Sequence, residues 1–295
     1  MKPLWERNVF VFCAIAVWWG GTINFTQAQS TRADTARSYL ERGLSSLAKG
    51  ETERALADFD LAVASDPQFD KAWYNRAVVR YDKGDLAGTI NDLDETIRLN
   101  PQYLLAWIKR GNARAAQEEW DAAISDYNEA LRLDSTSVLA VNNRGLVRQQ
   151  RKDYDGALAD YKRALQLDPN NALIFNNSAS VKHDLRDYIG ALADYNQAIK
   201  LKPDWAAAWC NRGLTRKAMG ELKAALADYD QAIKLKPDFA LAYFNRSWVK
   251  RLLGKGDEAK ADYERSLQLQ SAESTSDAAH FKHHKLAEAE PKPKP

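Results

Sequence analysis

Apolar and small residues recur along the chain at helical spacing, and the whole pattern repeats every 34 residues. The stretch ALADYNQAIKLKPD at 191–204 returns as ALADYDQAIKLKPD at 225–238, and the two differ only by Asn196 against Asp230. An aspartate followed by an apolar or aromatic residue keeps the same step, at Asp58, Asp92, Asp126, Asp160, Asp194, Asp228 and Asp262. A fixed period of this size is typical of a stacked array of repeats.

Each period contains two helical segments separated by a short turn. In 206–239, an amphipathic first helix ends before Gly220 and Glu221, and a second helix runs up to Pro237, which cannot continue it. One helix pair cannot bury both of its apolar faces, so each pair needs a neighbour. We therefore predict an all-α protein with seven units, at 36–69, 70–103, 104–137, 138–171, 172–205, 206–239 and 240–273.

These spacings resemble the tetratricopeptide repeat. The first unit carries the pattern of Tyr or Trp, Gly, Ala, Phe or Tyr, Ala and Pro, at Tyr39, Gly43, Ala55, Phe59, Ala62 and Pro67. The resemblance covers 36–273 and implies a right-handed superhelical solenoid of antiparallel helix pairs. It also implies that the first helices line a concave groove, which in this family usually holds an extended peptide or a partner helix.

A row of arginines recurs on the first helices. Its members are Arg42, Arg76, Arg110, Arg144, Arg212 and Arg246, and Ser178 interrupts the row. Folding each pair about its turn brings these arginines opposite the aspartate row, so we predict a structural brace of Arg144 with Asp160 and of Arg212 with Asp228. The alternative is a basic stripe that binds anions.

A second polar row lies one position before the arginines. It consists of Asn75, Lys109, Asn143, Asn177, Asn211 and Asn245. By helical angle this row faces the concave side, where amides suit the donors and acceptors of a peptide backbone. In the family, an Asn at this position often contacts ligand. The alternative is that these are solvated or locally hydrogen-bonded amides inherited by repeat duplication.

Large side chains are expected on the same concave face. They are Tyr74, Tyr81, Ile108, Cys210, Phe244 and Trp248. Aromatic anchors beside amides are a common composition for a binding hot spot. The alternatives are that Trp248 packs beneath the C-terminal segment, or that a tail helix fills part of the groove.

The first residues have the features of an export signal. Lys2 and Arg7 precede the apolar run 9–21, and Thr26 and Ala28 have the spacing of a cleavage site. We predict a signal peptide at 1–28 and a short lead-in at 29–35. The alternative is an uncleaved membrane anchor formed by 9–21, which would be the chain's only contact with a membrane.

Composition and motifs give no indication of catalysis. The net charge is +2, which gives no electrostatic reason to expect nucleic acid as a partner. The sequence has no Gly-rich phosphate loop and no paired-His zinc motif, so we predict no enzymatic activity, no cofactor and no metal. The polar tail 274–295 is expected to form a short capping helix up to about residue 288, and its histidine cluster is expected to be solvated.

We therefore predict an exported, non-enzymatic scaffold that binds a protein or peptide segment in its groove, in the periplasm or as a secreted protein. Members of the family that clamp a C-terminal carboxylate need a set of Lys and Asn residues that no three consecutive units supply, because residues such as Leu40, Tyr74 and Ile108 stand there. Two alternatives stay open, a self-assembling homodimer and a module that positions substrate for a separate enzyme.

Overall fold

The structure is a computed structural model that describes residues 31–276, with side chains described for 31–271. Every regular element within this range is a helix, as the sequence predicts. In chain order the helices are α1 (31–48), α2 (Thr52–Ser65), α3 (Asp70–Asp82), α4 (Leu86–Leu99), α5 (Leu104–Ala116), α6 (Trp120–Leu133), α7 (Val138–Gln150), α8 (Tyr154–Leu167), α9 (Ala172–Asp184), α10 (Tyr188–Leu201), α11 (Ala206–Ala218), α12 (Leu222–Leu235), α13 (Ala240–Leu252) and α14 (Gly256–Ser276).

The chain divides into two compact units, the first ending at Ala106 and the second beginning at Trp107. In the first unit, α3 packs against α2 and α4. In the second unit, α7 pairs with α8, α9 with α10, α11 with α12 and α13 with α14, and each pair also contacts the next. Both units are therefore built from helix pairs that lean on their sequence neighbours, which is the arrangement that the 34-residue period predicts.

The turn inside each pair needs a left-handed backbone conformation. Glycine supplies it at Gly50, Gly84, Gly220 and Gly254, with φ between 77° and 81°. In the three middle repeats, Glu118, Lys152 and Arg186 adopt φ between 62° and 64°, although this region costs a side-chain-bearing residue roughly 1–2 kcal/mol. Backbone hydrogen bonds close the helix end there, for example from the Asp153 N–H to the Arg148 carbonyl at 2.8 Å, and they hold the turn without glycine.

A large side chain that follows the repeated aspartate fills the core of each interior repeat. This position is at most 2% exposed in Phe59, Leu93, Tyr127, Tyr161, Tyr195 and Tyr229. A small residue on the first helix makes room for the ring, because a Cβ at Gly213 would lie 2.9 Å from Cε1 of Tyr229. In the second repeat the smaller Leu93 stands opposite Ala77, and both are fully buried.

The last repeat departs from this pattern. Tyr263, the counterpart of Tyr229, is 46% exposed, because no further helix pair covers it within the described residues. The second helix also does not stop at its usual place. Ser271 stands where Pro237 follows α12, and α14 continues to Ser276. The array therefore ends in a helix face that the earlier repeats bury.

No helix within 31–276 is long and apolar enough to cross a membrane. The predicted signal or anchor at 1–28, including 9–21, lies outside the described residues, as does the tail beyond Ser276 with its predicted capping helix. Of the predicted lead-in, 31–35 belong to the first turns of α1.

Candidate functional site

The arginine row forms ion pairs inside every repeat that carries one of its arginines. Arg212 donates from Nε to Oδ2 of Asp228 at 3.0 Å and from Nη2 to Oδ1 at 2.6 Å, and Arg216 adds a third contact at 3.0 Å. Arg144 binds Asp160 in the same way, at 3.0 and 2.6 Å. The same pairing recurs in Arg42–Asp58, Arg76–Asp92, Arg110–Asp126 and Arg246–Asp262. The row is therefore engaged in internal pairing and is not a free anion-binding stripe.

Several braces, those of Arg76, Arg144, Arg212 and Arg246, also reach the preceding repeat. Arg212 donates to Asn196 Oδ1 at 2.7 Å, and Arg246 donates to Asp230 Oδ1 at the same distance. The guanidinium of Arg212 lies 4.7 Å from the ring centre of Trp209, in cation–π geometry. The single difference between the twin stretches, Asn196 against Asp230, thus falls on a residue that accepts a hydrogen bond from the next arginine.

Ser178 interrupts the brace and changes the environment of its partner. Asp194 accepts from Ser178 Oγ and from Lys182 Nζ, both at 2.6 Å, in place of an arginine fork. Its side chain is 15% exposed, against 2% for Asp228. Arg212 contacts Asn196 of the preceding repeat, and the residue equivalent to Asn196 one repeat earlier is Lys162. An arginine at position 178 would therefore face a cation.

The electrostatics differ along the brace. Burial raises the pKa of Asp92 and of Asp126, although Arg76 and Arg110 act to lower them. Burial acts the same way on Asp262, but hydrogen bonds from Arg246 and Lys250 keep the pKa of that carboxyl below its ordinary value. Such pairs set geometry more than they add net stability, but removing one partner leaves an uncompensated buried charge.

The amide row does not form an open ladder on the surface, and this prediction is wrong for its central members. Asn143 is fully buried and donates from Nδ2 to Asn112 Oδ1 at 3.0 Å. Asn142 donates to Asn143 Oδ1, and Asn177 donates to Asn142 Oδ1, both at 3.1 Å. The Tyr127 hydroxyl donates to Asn112 Oδ1 at 2.8 Å. These side chains form a hydrogen-bonded network in the seam between neighbouring first helices.

The rest of the row is likewise engaged within the chain. Asn211 donates to Asn176 Oδ1 at 3.1 Å, whereas Asn245 and Asn75 donate to carbonyls of their own helices. Four other residues that we placed on the open concave face are also buried, namely Tyr81, Ile108, Lys109 and Cys210. For the paired asparagines and for Cys210, the cause is that neighbouring first helices pack against each other, α7 with α9 and α11 with α13.

The sequence holds a signal that could have revealed the seam. Asparagines occur as adjacent pairs at Asn142–Asn143 and Asn176–Asn177. Neighbouring positions on a helix point about 100° apart, so two adjacent amides cannot both face the same open groove. Mutual pairing across repeats satisfies both.

One helical turn further along, polar side chains link the first helices of the second unit. Gln149 donates from Nε2 to Ser180 Oγ at 3.1 Å, and Lys217 donates to Asn245 Oδ1 at 3.3 Å. The Nδ1 atom of His183 lies 3.0 Å from Thr215 Oγ1. Lys217 forms no ion pair with any residue of 31–271, and burial lowers its pKa.

His183 gives the fold a pH dependence. Burial lowers the pKa of its imidazole below the ordinary 6.5, with Lys217 acting in the same direction and Asp184 against it. The unfolded chain then binds the proton more tightly, so this stabilisation is present above about pH 6.5 and is lost as the pH falls through the folded-state pKa. We expect the urea midpoint to fall between pH 7.5 and 5.5, and the fall to be smaller in His183→Gln. An equal fall in both proteins would contradict this role.

Cys210 is expected to be unreactive in the folded protein. The side chain is 1% exposed, and burial raises the pKa of its thiol to about 12, so little thiolate forms at neutral pH. In a Cys13→Ser variant, iodoacetamide at pH 8 should label Cys210 at least about 100-fold more slowly than the urea-unfolded chain. Comparable rates in the two states would show that the seam between α11 and α13 is open.

Accessible aromatic side chains line a depression between α13 and α14. We call this depression of about 590 Å³ the terminal cleft. Phe244 and Tyr263 face each other in it with ring centres 6.3 Å apart, and Trp248 is 45% exposed. Arg251 and Lys260 contribute the charges of its lining, and the Arg251 guanidinium lies 5.4 Å from the Trp248 ring centre.

The preceding repeat shows what normally fills such a cleft. There the counterparts Cys210 and Tyr229 are buried in one cluster with Ala242 and Val249, which α13 supplies. In the last repeat no such helix covers Phe244 and Tyr263 within the described residues. Sequence reasoning identified Phe244 and Trp248 but missed Tyr263 and Lys260. Tyr263 was missed because it stands at the position where the six preceding repeats bury a large apolar or aromatic side chain.

No group of three or more His, Cys, Asp or Glu side chains within the described part of the chain could hold a metal ion. The predicted pocket residues Tyr74 and Asn75 lie in the first unit, where the Tyr74 ring packs 4.7 Å from that of Tyr103. They therefore belong to a different unit from the terminal cleft.

Comparison with solved structures places the fold among known repeat proteins. A tetratricopeptide repeat protein from Parabacteroides merdae matches 87% of this chain and 98% of its own, with a TM-score of 0.70 and 17% identity. One chain of the APC/C hetero-tetramer Cut9–Hcn1 matches 85% of this chain over 48% of its own length, with a TM-score of 0.65 and 20% identity. PilF of Pseudomonas aeruginosa matches 72% of this chain and 96% of its own, with a TM-score of 0.60 and 20% identity. No curated protein matches the sequence.

Family models give the same result from the sequence side. Models described as tetratricopeptide repeat or TPR repeat match 40–103, 111–151, 138–171, 179–220, 206–239 and 240–273. Together with the all-helical architecture and the 34-residue helix pairs, these matches confirm the predicted solenoid fold. The chain belongs to the tetratricopeptide repeat family.

Proposed function

We propose that this protein is a non-enzymatic scaffold that binds a segment of another protein at its last repeat. The observation that carries the proposal is the terminal cleft, where Phe244 and Tyr263 stay accessible although their counterparts in the preceding repeat, Cys210 and Tyr229, are buried, and where Trp248 is 45% exposed. Exposed aromatic groups in a concave site are the usual energetic centre of a protein interface. Tetratricopeptide folds generally act as interaction scaffolds, and in the Cut9–Hcn1 complex such a chain is part of an assembly with another protein.

Site-specific photo-crosslinking in living cells tests this proposal. A photoreactive phenylalanine analogue at Trp248 should yield a discrete heterologous adduct, because this side chain lies in the proposed contact. The same analogue at Ile189, which is 77% exposed on α10, is the matched control and should give no adduct. Equal adducts from both positions, or none from either, would contradict the proposal.

We also propose that the protein is exported, with cleavage after Ala28 removing the signal peptide. The support is the charged start, the apolar run 9–21 and the small residues before the cleavage point. N-terminal sequencing of the protein recovered from the cell envelope should begin at Gln29. A sequence beginning at Met1 would instead favour an anchor, with the repeats held at a membrane surface.

Two other functions use the same cleft differently. A homodimer through the last repeats would give a crosslinked product of twice the chain mass from position 248. A module that presents substrate to an enzyme would give an adduct with a catalytic chain. The product of the crosslinking experiment therefore distinguishes these functions by mass and by identity.

A further inference from the structure

The terminal cleft carries positive charge without a matching carboxylate in its lining. Of the eight lining residues, two are cations, Arg251 and Lys260, and none is acidic. Arg251 forms no ion pair with any residue of 31–271, and Lys260 reaches only Glu264, at 4.0 Å. Elsewhere on the first helices, cations such as Arg212 and Arg216 are held by buried aspartates.

Positive charge continues from the cleft onto the neighbouring first helix. Lys217 precedes Arg251 by one repeat, and it donates to the neutral Asn245, at 3.3 Å. Burial lowers the pKa of Lys217, which marks an amine held away from water with no carboxylate beside it.

On the basis of the proposed function, we infer that the terminal cleft binds an acidic segment of its partner, with an apolar side chain inserted among Phe244, Trp248 and Tyr263. Carboxylates of the segment pair with Arg251 and Lys260 at the rim. Charge complementarity of this kind selects the partner and speeds association, while the desolvated apolar anchor supplies affinity.

The chain's own C-terminal segment fits this site poorly. Residues 277–295 contain four lysines and three acidic residues, together with three histidines. A segment with this balance has no net negative charge to offer to Arg251 and Lys260. The chemistry of the cleft therefore favours an acidic segment from another protein over the tail.

Selection of random 12-residue peptides displayed on phage tests this inference on the full chain purified in mild detergent. We expect Asp and Glu to be enriched next to an aromatic or aliphatic residue. The enrichment should change to Lys and Arg in the charge-reversed variant Arg251→Glu/Lys260→Glu. A peptide selected on the original chain should bind this variant about tenfold more weakly or worse.

The matched control is Lys200→Glu/Lys234→Glu, which changes the net charge equally at exposed positions of α10 and α12. Unchanged binding in this control supports a local effect of the cleft. Trp248→Ala should weaken the selected peptide at least as much as charge reversal does. Equal weakening in the control would overturn the inference.

Three further outcomes separate the inference from the proposed function. Peptides that bind the cleft without acidic residues would overturn the inference and leave the proposed function intact. Failure to select any peptide would contradict both. Binding that appears only after removal of 277–295 would show that the tail is the occupant, and binding that weakens as the chain is concentrated into a dimer would show that a second copy is; either would overturn the inference.

Discussion

Replacing Asp228 by Ala is expected to lower the free energy of unfolding by about 3–5 kcal/mol, because it leaves buried cations without their counter-ion. Asp228 is 2% exposed, accepts two hydrogen bonds from Arg212 and forms an ion pair with Arg216 at 3.0 Å. The Arg212 side chain is itself only 12% exposed, so water cannot replace the lost carboxylate without opening the repeat. Urea denaturation followed by circular dichroism measures the effect.

Asp194→Ala is the matched control for this prediction. Asp194 holds the same repeat position, but its partners are Ser178 and the more exposed Lys182. Because Lys182 can turn towards solvent, we expect a smaller loss of about 1–2 kcal/mol. Equal losses from the two variants would show that the arginine fork has no special role.

Asn143→Ala is expected to cost about 2–3 kcal/mol, since it removes a fully buried amide that both donates and accepts. The variant leaves Nδ2 of Asn142 without its acceptor and takes one donor away from Asn112. Neither side chain can recover the lost bond from water, because Asn142 is 3% exposed and Asn112 is 1% exposed. The same urea experiment measures this loss.

Asn75→Ala tests whether the cost comes from the buried network. Asn75 has the same repeat position, is only half-buried and donates to the Lys71 carbonyl of its own helix. We expect this variant to lose less than about 1 kcal/mol. A similar cost for the two variants would mean that the asparagine is needed for the helix itself and that pairing between repeats is unimportant.

The fold could be read from the sequence because a repeat multiplies every local signal. A single Pro or Asp predicts little. The seven aspartates from Asp58 to Asp262, spaced 34 residues apart, show where each helix pair lies and that each pair packs against the next. The brace of Arg212 with Asp228 followed from the same geometry, since an antiparallel pair brings those positions together. Both the helix pairing and the brace depend on contacts within one repeat or between adjacent repeats, which the 34-residue spacing determines.

The site was harder to predict because exposure depends on what covers a residue. We predicted that Asn143 and Asn177 face an open groove. Their burial depends on the distance between neighbouring first helices, and the sequence of a single repeat does not determine that distance. Tyr263 follows the same Ala-Asp pair as Tyr229, but no following helix covers it within the described residues. Identical motifs thus acquire different roles by position in the array.

Hydrogen–deuterium exchange of the full chain, with and without the partner captured at Trp248, tests the central claim most directly. The account predicts slowed exchange in α13 and in the first half of α14, with little change in α2 to α4. Slowed exchange centred on the first repeats, or no change around Phe244 and Tyr263, would contradict it.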